Sequence, residues 1–260
     1  MTAYRFITTR HVDRTLILTI NRPEVMNALH APAHFECHDA LNAFAADASL
    51  RVAIITGAGE RAFCAGADLK HRAAGGSVDT PPTGVCGLTS RFDLMKPVIA
   101  AVNGVALGAG FEIALATDII VAASNASFGL PEPRVGMAAL AGGLHRLPRA
   151  IGMKRAMAMI LTARTVSAEE GASLGFVHRV TAEGGALDAA FELAAQIEQC
   201  SPAALRAAKE VAMLGWDHAL PDALAQQVRW TEVRAARASP DAIEGPLAFA
   251  EKRSPRWRDQ

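Results

Sequence analysis

The chain has 260 residues, 51% of them hydrophobic, enough for one large α/β domain or two small ones around a sizeable core. Lys plus Arg equals Asp plus Glu at 26 each, so no net field draws nucleic acid or an anionic membrane. The expectation is an enzyme of small molecules with neither as partner. Cys37, Cys64, Cys86 and Cys200 form no C-x-x-C pair, which argues against a zinc ribbon, a redox motif or a stapled secreted fold. They read as reduced thiols in a cytoplasmic protein. The opening Met1-Thr2-Ala3-Tyr4-Arg5 lacks the basic-then-apolar layout of an export signal.

In chain order, residues 16–20 read as a strand ended by Asn21-Arg22-Pro23, and 34–46 as a helix with Phe35, Leu41 and Phe44-Ala45 on one face. Residues 52–56 form the next buried strand, closed by Gly57-Ala58-Gly59; the turn Cys64-Ala65-Gly66 then leads into a helix beginning near Ala67. Between 73 and 87 the chain is rich in Gly, Pro, Ser and Thr, which predicts a mobile loop, often a functional feature at this length. Residues 97–102 are another strand, followed by glycine turns, a helix through Ala116 and a strand over 118–123. This apolar stretch, 98–123, is no membrane span, because Glu112 and Asp118 interrupt it and a charge at the bilayer centre costs roughly 2.5 kcal/mol or more. Helices then dominate, over 153–161, 167–173, 186–200, 202–214 and 221–238, with a strand near Val177. The alternation indicates α/β.

The local signal of most chemical interest is a strand, a glycine turn and a helix start, occurring twice: Ala62-Phe63-Cys64-Ala65-Gly66-Ala67-Asp68-Leu69 and Val102-Asn103-Gly104-Val105-Ala106-Leu107-Gly108-Ala109-Gly110-Phe111-Glu112. The first amides of a helix lack internal partners and lie at the positive end of its dipole, so two such starts could share one negative oxygen. Glycines there also serve simply to let helices pack on a sheet. Glu112, within an apolar helix, must be paired, protonated or functional, and burial raises its pKa toward the range useful for acid/base work. Glu132, held in Gly129-Leu130-Pro131-Glu132-Pro133, reads alone as an ordinary loop acid. Spacing does not establish that the two carboxylates meet.

Asn21-Arg22-Pro23 with Asn27-Ala28-Leu29, Ala62-Phe63-Cys64-Ala65-Gly66-Ala67-Asp68-Leu69-Lys70, Lys96-Pro97-Val98-Ile99-Ala100-Ala101-Val102-Asn103-Gly104 and Phe128-Gly129-Leu130-Pro131-Glu132 together resemble the crotonase, or enoyl-CoA hydratase/isomerase, superfamily. The resemblance continues through Gly142-Gly143, Arg146-Leu147-Pro148 and Ser167-Ala168-Glu169-Glu170-Gly171, covering nearly the whole chain. It implies a spiral of ββα units over 1–200 with a helical oligomerisation region over 201–260, assembled as homotrimers and commonly homohexamers. It implies an acyl-CoA substrate, coenzyme A entering as part of the thioester and no separate cofactor or metal. The thioester carbonyl would lie between the backbone amides of Ala67 and Ala109; the latter stands in Gly108-Ala109-Gly110 where the family usually has three glycines. Glu112 and Glu132 match the two catalytic glutamates of members that hydrate enoyl-CoA. Ala65, Asp68, Leu69 and Lys70 would run along CoA, Ala65 near the adenine, with the 73–87 loop over the acyl group and Lys252 approaching CoA. Lys70, His71 and Arg72 either meet phosphate or form a solvated face.

Three other signals are set aside. Gly171-Ala172-Ser173-Leu174-Gly175 matches G-x-S-x-G, but it follows a capping-box helix start (Ser167, Glu170) and precedes a strand, the reverse of a nucleophile elbow. His34 and His38 stand four apart with no third metal ligand evident, and read as surface or helix-face residues. Gly108-Ala109-Gly110 lacks the third glycine of a dinucleotide fingerprint, Ile113 occupying that position. The leading expectation is an enoyl-CoA hydratase. Beside it stand Δ3-Δ2 isomerisation, dehydration of a specialised hydroxyacyl-CoA such as a carnitinyl or aromatic thioester, and a non-catalytic acyl-CoA- or RNA-binding scaffold.

Overall fold

The computed structural model describes residues 4–258; Met1, Thr2 and Ala3, part of the segment read for an export signal, lie outside them. Strands β1 (Ile7–Val12) and β2 (Thr15–Ile20) form a hairpin, and a single turn at Pro23–Val25 leads to α1 (Ala31–Ala46). Two units of strand, strand and helix follow: β3 (Val52–Gly57), β4 (Ala62–Cys64) and α2 (Leu69–Ala73), then β5 (Val98–Val102), β6 (Val105–Leu107) and α3 (Ala109–Ala116). A third has β7 (Ile119–Ala123), β8 (Ser127–Gly129), a single turn at Glu132–Val135 and α4 (Gly143–Ile151). The chain continues through α5 (Met153–Thr162), β9 (Thr165–Ser167), α6 (Ala168–Leu174), β10 (Arg179–Thr181) and α7 (Ala186–Glu198). It ends in α8 (Pro202–Gly215), α9 (Leu220–Gln226), α10 (Thr231–Ala238) and α11 (Asp241–Ala250).

The first strand of each unit joins a six-stranded sheet, β1-β2-β3-β5-β7-β10, parallel except for the β1-β2 hairpin. The second strand joins a four-stranded sheet, β4-β6-β8-β9, so the chain spirals between the two sheets once per unit. Strands β3 and β5 are buried along their whole length, as parallel strands covered on both faces must be. Alternation divides their side chains between two cores. Val52, Ile54, Ile99 and Ala101 pack under the alanine face of α7; Ala53, Ile55, Ala100 and Val102 face the main core with α1 and the Phe111–Phe128–Phe176 cluster. The 98–123 stretch is thus strand, strand, helix and strand, and among the described residues no helix is long and apolar enough to cross a membrane.

Several expectations need correction. Helix α1 buries Ala33, Cys37, Ala40, Leu41 and Phe44, while Phe35 is 43% exposed, so the apolar stripe runs through small residues that the larger side chains mask in the sequence. Of the surface and helix-face readings of His34, the second holds, on a buried face of α1; its Nδ1 accepts from the Cys86 amide (3.2 Å), and burial pushes its pKa down to about 4. That bond pins the far end of the 73–87 segment: Cys86 and Gly87 are buried in a single turn at Val85–Gly87 against α1, and residues 74–80 are largely exposed. The helix expected over 221–238 breaks at Trp230, which is extended (ψ 151) between α9 and α10. Ser167 caps α6 by accepting from the Glu170 amide (3.2 Å), but the Glu170 carboxylate turns to Arg164 (2.7 Å) and leaves the capping box half made. Cys37, Cys64 and Cys86 are buried and Cys200 exposed, all free thiols.

Candidate active site

The site forms where α3 begins. Strand register fixes it: β6 pairs with β8 so that Leu107 lies opposite Gly129, and the Gly108 amide donates to the Gly129 carbonyl at 2.9 Å. Three residues beyond Gly129, Glu132 returns over Gly108, its Oε1 2.7 Å from where a Cβ on Gly108 would stand. The Gly108 carbonyl accepts from the Glu112 amide (2.9 Å), so the two carboxyls share the first turn of α3. Tertiary structure therefore brings together two acids twenty positions apart in sequence.

Their environments differ. Glu112 is 3% exposed, and its Oε1 accepts from the Gly143 amide at the start of α4 (2.9 Å). Burial raises its pKa to about 7; the Gly143 amide resists that rise, the charge of Glu132 adds to it, and the Ala141 amide and Arg146 pull against it. Glu132 is half-buried, burial also raises its pKa, and its Oε2 is enclosed with no hydrogen-bond partner among the described residues. One carboxyl is thus supplied with donors suited to an anion, and the other has a bare oxygen suited to carrying a proton.

Beside them lie the two turns read as helix starts. A Cβ on Gly66 would stand 2.9 Å from the Leu107 carbonyl and 3.6 Å from the Ala109 amide nitrogen, and one on Gly110 would collide with the Cys64 carbonyl. Only glycine permits this approach of the turns. Among the described residues, the Ala67 and Ala109 amides, one from each turn, donate to no backbone carbonyl. Ala109 opens α3 as expected, but α2 begins at Leu69, two residues later than the expected start near Ala67. The Ala67 amide is freed instead by strand-like bonding on either side, from the Leu29 amide to the Gly66 carbonyl and from the Asp68 amide to the Leu29 carbonyl, each 2.8 Å.

Asp68 caps α2, accepting from the His71 amide (3.0 Å), and pairs with Arg22 (2.9 Å). Burial opposes its charge, yet these two donors hold its carboxyl below the usual carboxylate range. Arg22 also donates to the Ala28 carbonyl, and buried Asn27 donates to the Ala58 and Ala62 carbonyls (3.0 and 2.7 Å). Ala65 is partly buried and donates to the Met26 carbonyl (3.0 Å); Leu69 and Lys70 are exposed on α2, and Lys252 is exposed just past α11. Of the basic run, His71 packs edge-on against His30 (5.1 Å) and Arg72 lies against the Met137 sulfur (3.1 Å). Arg22, Asn27 and Arg146 carry no chemical signal in the sequence beyond their motifs; what marks them is a polar residue in a motif whose neighbours are backbone turns. Among the described residues no three His, Cys, Asp or Glu side chains gather as a metal set.

Residues 13–260 match the family model described as enoyl-CoA hydratase/isomerase. A carnitinyl-CoA dehydratase of Salmonella arizonae is 46% identical over 248 residues, 94% of each chain. The crystal structure of an enoyl-CoA hydratase from Mycobacterium marinum superposes with a TM-score of 0.92 at 43% identity, covering 98% of this chain and 99% of that one. That of a carnitinyl-CoA hydratase from Mycobacterium avium gives 0.78 at 36% identity with full coverage of both. With the two-sheet spiral and the motif positions in agreement, the chain belongs to the enoyl-CoA hydratase/isomerase, or crotonase, family.

Proposed function

We propose that the protein adds water reversibly across the double bond of a 2-enoyl-CoA, giving the 3-hydroxyacyl-CoA. The observation that carries this reading is the pair of carboxyls at the first turn of α3, Glu112 buried with donors and Glu132 half-buried with a bare oxygen, beside two turn amides that bond no carbonyl among the described residues. Glu112, as carboxylate, takes a proton from water while the oxygen attacks the β-carbon; the double-bond electrons move onto the thioester oxygen, held by the Ala67 and Ala109 amides. The enolate then collapses as protonated Glu132 delivers its proton to the α-carbon, so one proton enters the pair and one leaves it. Each hole donor of this kind is worth roughly 100- to 1000-fold in rate. Ala65, Asp68, Leu69 and Lys70 would line the CoA, with the 73–87 segment over the acyl group. Association into trimers or hexamers is supported by exposed apolar side chains on the C-terminal helices, Ile243 and Phe249 among them at 74% and 87%.

A second reading, dehydration of a carnitinyl-type thioester, draws support from the carnitinyl-CoA dehydratase relatives at 44–46% identity. It uses the same carboxyls in the reverse direction and differs in the acyl substituent. One experiment tests both: absorbance of the enoyl thioester followed with crotonyl-CoA and with an enoyl-CoA bearing a γ-trimethylammonium group, for the parent and for Glu112→Gln and Glu132→Gln. Hydration falling at least about 100-fold in each variant is the expected result. Preference for the cationic substrate would select the second reading. Undiminished turnover in either variant, or none with any enoyl-CoA in the parent, would overturn the mechanism.

A further inference from the structure

Arg146 lies on α4 one turn beyond Gly143, the residue whose amide holds Glu112. Among the described residues no carboxylate stands within ion-pair distance of it. Its Nη2 donates to the Thr89 carbonyl (2.9 Å), its Nη1 reaches the Ala141 carbonyl (3.5 Å), and its guanidinium carbon sits 5.8 Å from the centre of the Phe92 ring. A partly buried cation whose partners are two carbonyls and a ring face, with no carboxylate among them, is costly unless something nearby uses the charge. Burial opposes its charge, the carboxylate of Glu112 from α3 favours it at longer range, and Arg149, on its own helix, opposes it. Glu112 in turn is faced by Glu132 from the turn after β8, by Arg146 from α4, and by the Gly143 and Ala141 amides.

The two carbonyls belong to different pieces of the site. Ala141 precedes the turn that presents the Gly143 amide, and Thr89 follows the turn at Val85–Gly87 that is fastened to α1 through His34. The same segment is tied to α1 by His38 with Thr83 (2.7 Å) and by Arg91 with Asn42 (2.7 Å). A guanidinium spans two carbonyls in a fixed fork, whereas an ammonium is a point donor.

We propose that Arg146 is a positioning residue for the hydration reaction, tying residues 85–91 to the start of α4 and keeping Glu112 charged as the base. The proposal rests on the assignment of Glu112 as that base. The sign follows from charge: loss of the cation makes the carboxylate harder to form, so the acid limb of kcat/KM moves to higher pH.

The test compares Arg146→Gln and Arg146→Lys with the parent, after melting curves show all three folded. For Arg146→Gln the acid limb moves up by about 0.5 pH unit, below the roughly 1–3 units of an opposite charge within about 4–6 Å because no direct ion pair forms, and activity below the limb falls about threefold. For Arg146→Lys the limb stays within about 0.2 unit while plateau kcat drops, because the charge remains and the fork is lost. The Glu112 carboxyl carbon, followed by NMR in protein labelled at glutamate and assigned with Glu112→Gln, titrates higher in Arg146→Gln than in the parent. An unmoved carboxyl titration, or a limb shifted equally in both variants, would overturn the proposal. A parent that hydrates no enoyl-CoA would overturn the assignment of the base, leaving the carboxyl titration to decide the effect of Arg146 on Glu112.

Discussion

Replacing Gly108 with alanine separates carboxyl placement from carboxyl chemistry. Gly108 has φ +52 and ψ −124, and it caps the helix that carries Glu112. A side chain there strains the backbone by about 1–3 kcal/mol. Its Cβ would also stand 2.7 Å from Glu132 Oε1 where ordinary contact begins at 3.4 Å, so the carboxyl must retreat by about 0.7 Å. Misplacement on the order of 1 Å can cost 100-fold in rate, so kcat for hydration is expected to fall roughly 30- to 100-fold. Gly152→Ala is the control: its φ is +83 with nothing within 4 Å of the new Cβ, so it carries strain without touching the site. Both variants should melt a few degrees below the parent, and only Gly108→Ala should lose turnover. If Gly108→Ala kept kcat within about twofold, or Gly152→Ala lost as much, close placement of Glu132 over the α3 start would not matter to the reaction.

Two further outcomes are expected. Because the Glu112 carboxyl has its pKa raised from 4.5 to about 7 on folding, the folded state binds more protons than the unfolded between those values. Stability therefore falls as pH rises through that window, by about 3 kcal/mol at roughly 1.4 kcal/mol per pH unit. Glu112→Gln should melt higher relative to the parent at pH 8 than at pH 5, and an equal difference at both would refute the burial account. Arg22→Lys keeps a charge near Asp68 but loses the simultaneous bond to the Ala28 carbonyl that braces the turn carrying the Ala67 amide. Its kcat should fall about tenfold with KM changed less than threefold, read in steady-state hydration assays; a change confined to KM would place Arg22 in binding alone.

The apolar runs of β3, β5 and β7 were legible in the sequence because parallel strands buried on both faces need unbroken hydrophobic stretches. The longer helices were legible from their period, and the family from motifs that place Gly, Asn and Pro at turns. Of the three-residue strands, β4 was legible only through the glycine turn that follows it, and β6, β8 and β9 were not, since so few residues carry no measurable alternation; they exist because each pairs with a neighbour distant in sequence. Glu112 stood out by itself as an acid in an apolar helix, whereas Glu132 looked like any loop acid. Its place over Gly108 follows from the β6-β8 register, which no local pattern encodes. The same holds for the donor at Ala67, freed by bonding of its neighbours to Leu29, and for Arg146, which meets Thr89 fifty-seven positions away. Composition and local pattern set which chemical groups are present and which segments are buried. Which of those groups meet is a property of strand register and helix packing, because a buried charge or an unbonded amide takes its character from neighbours that the folded chain brings in from elsewhere.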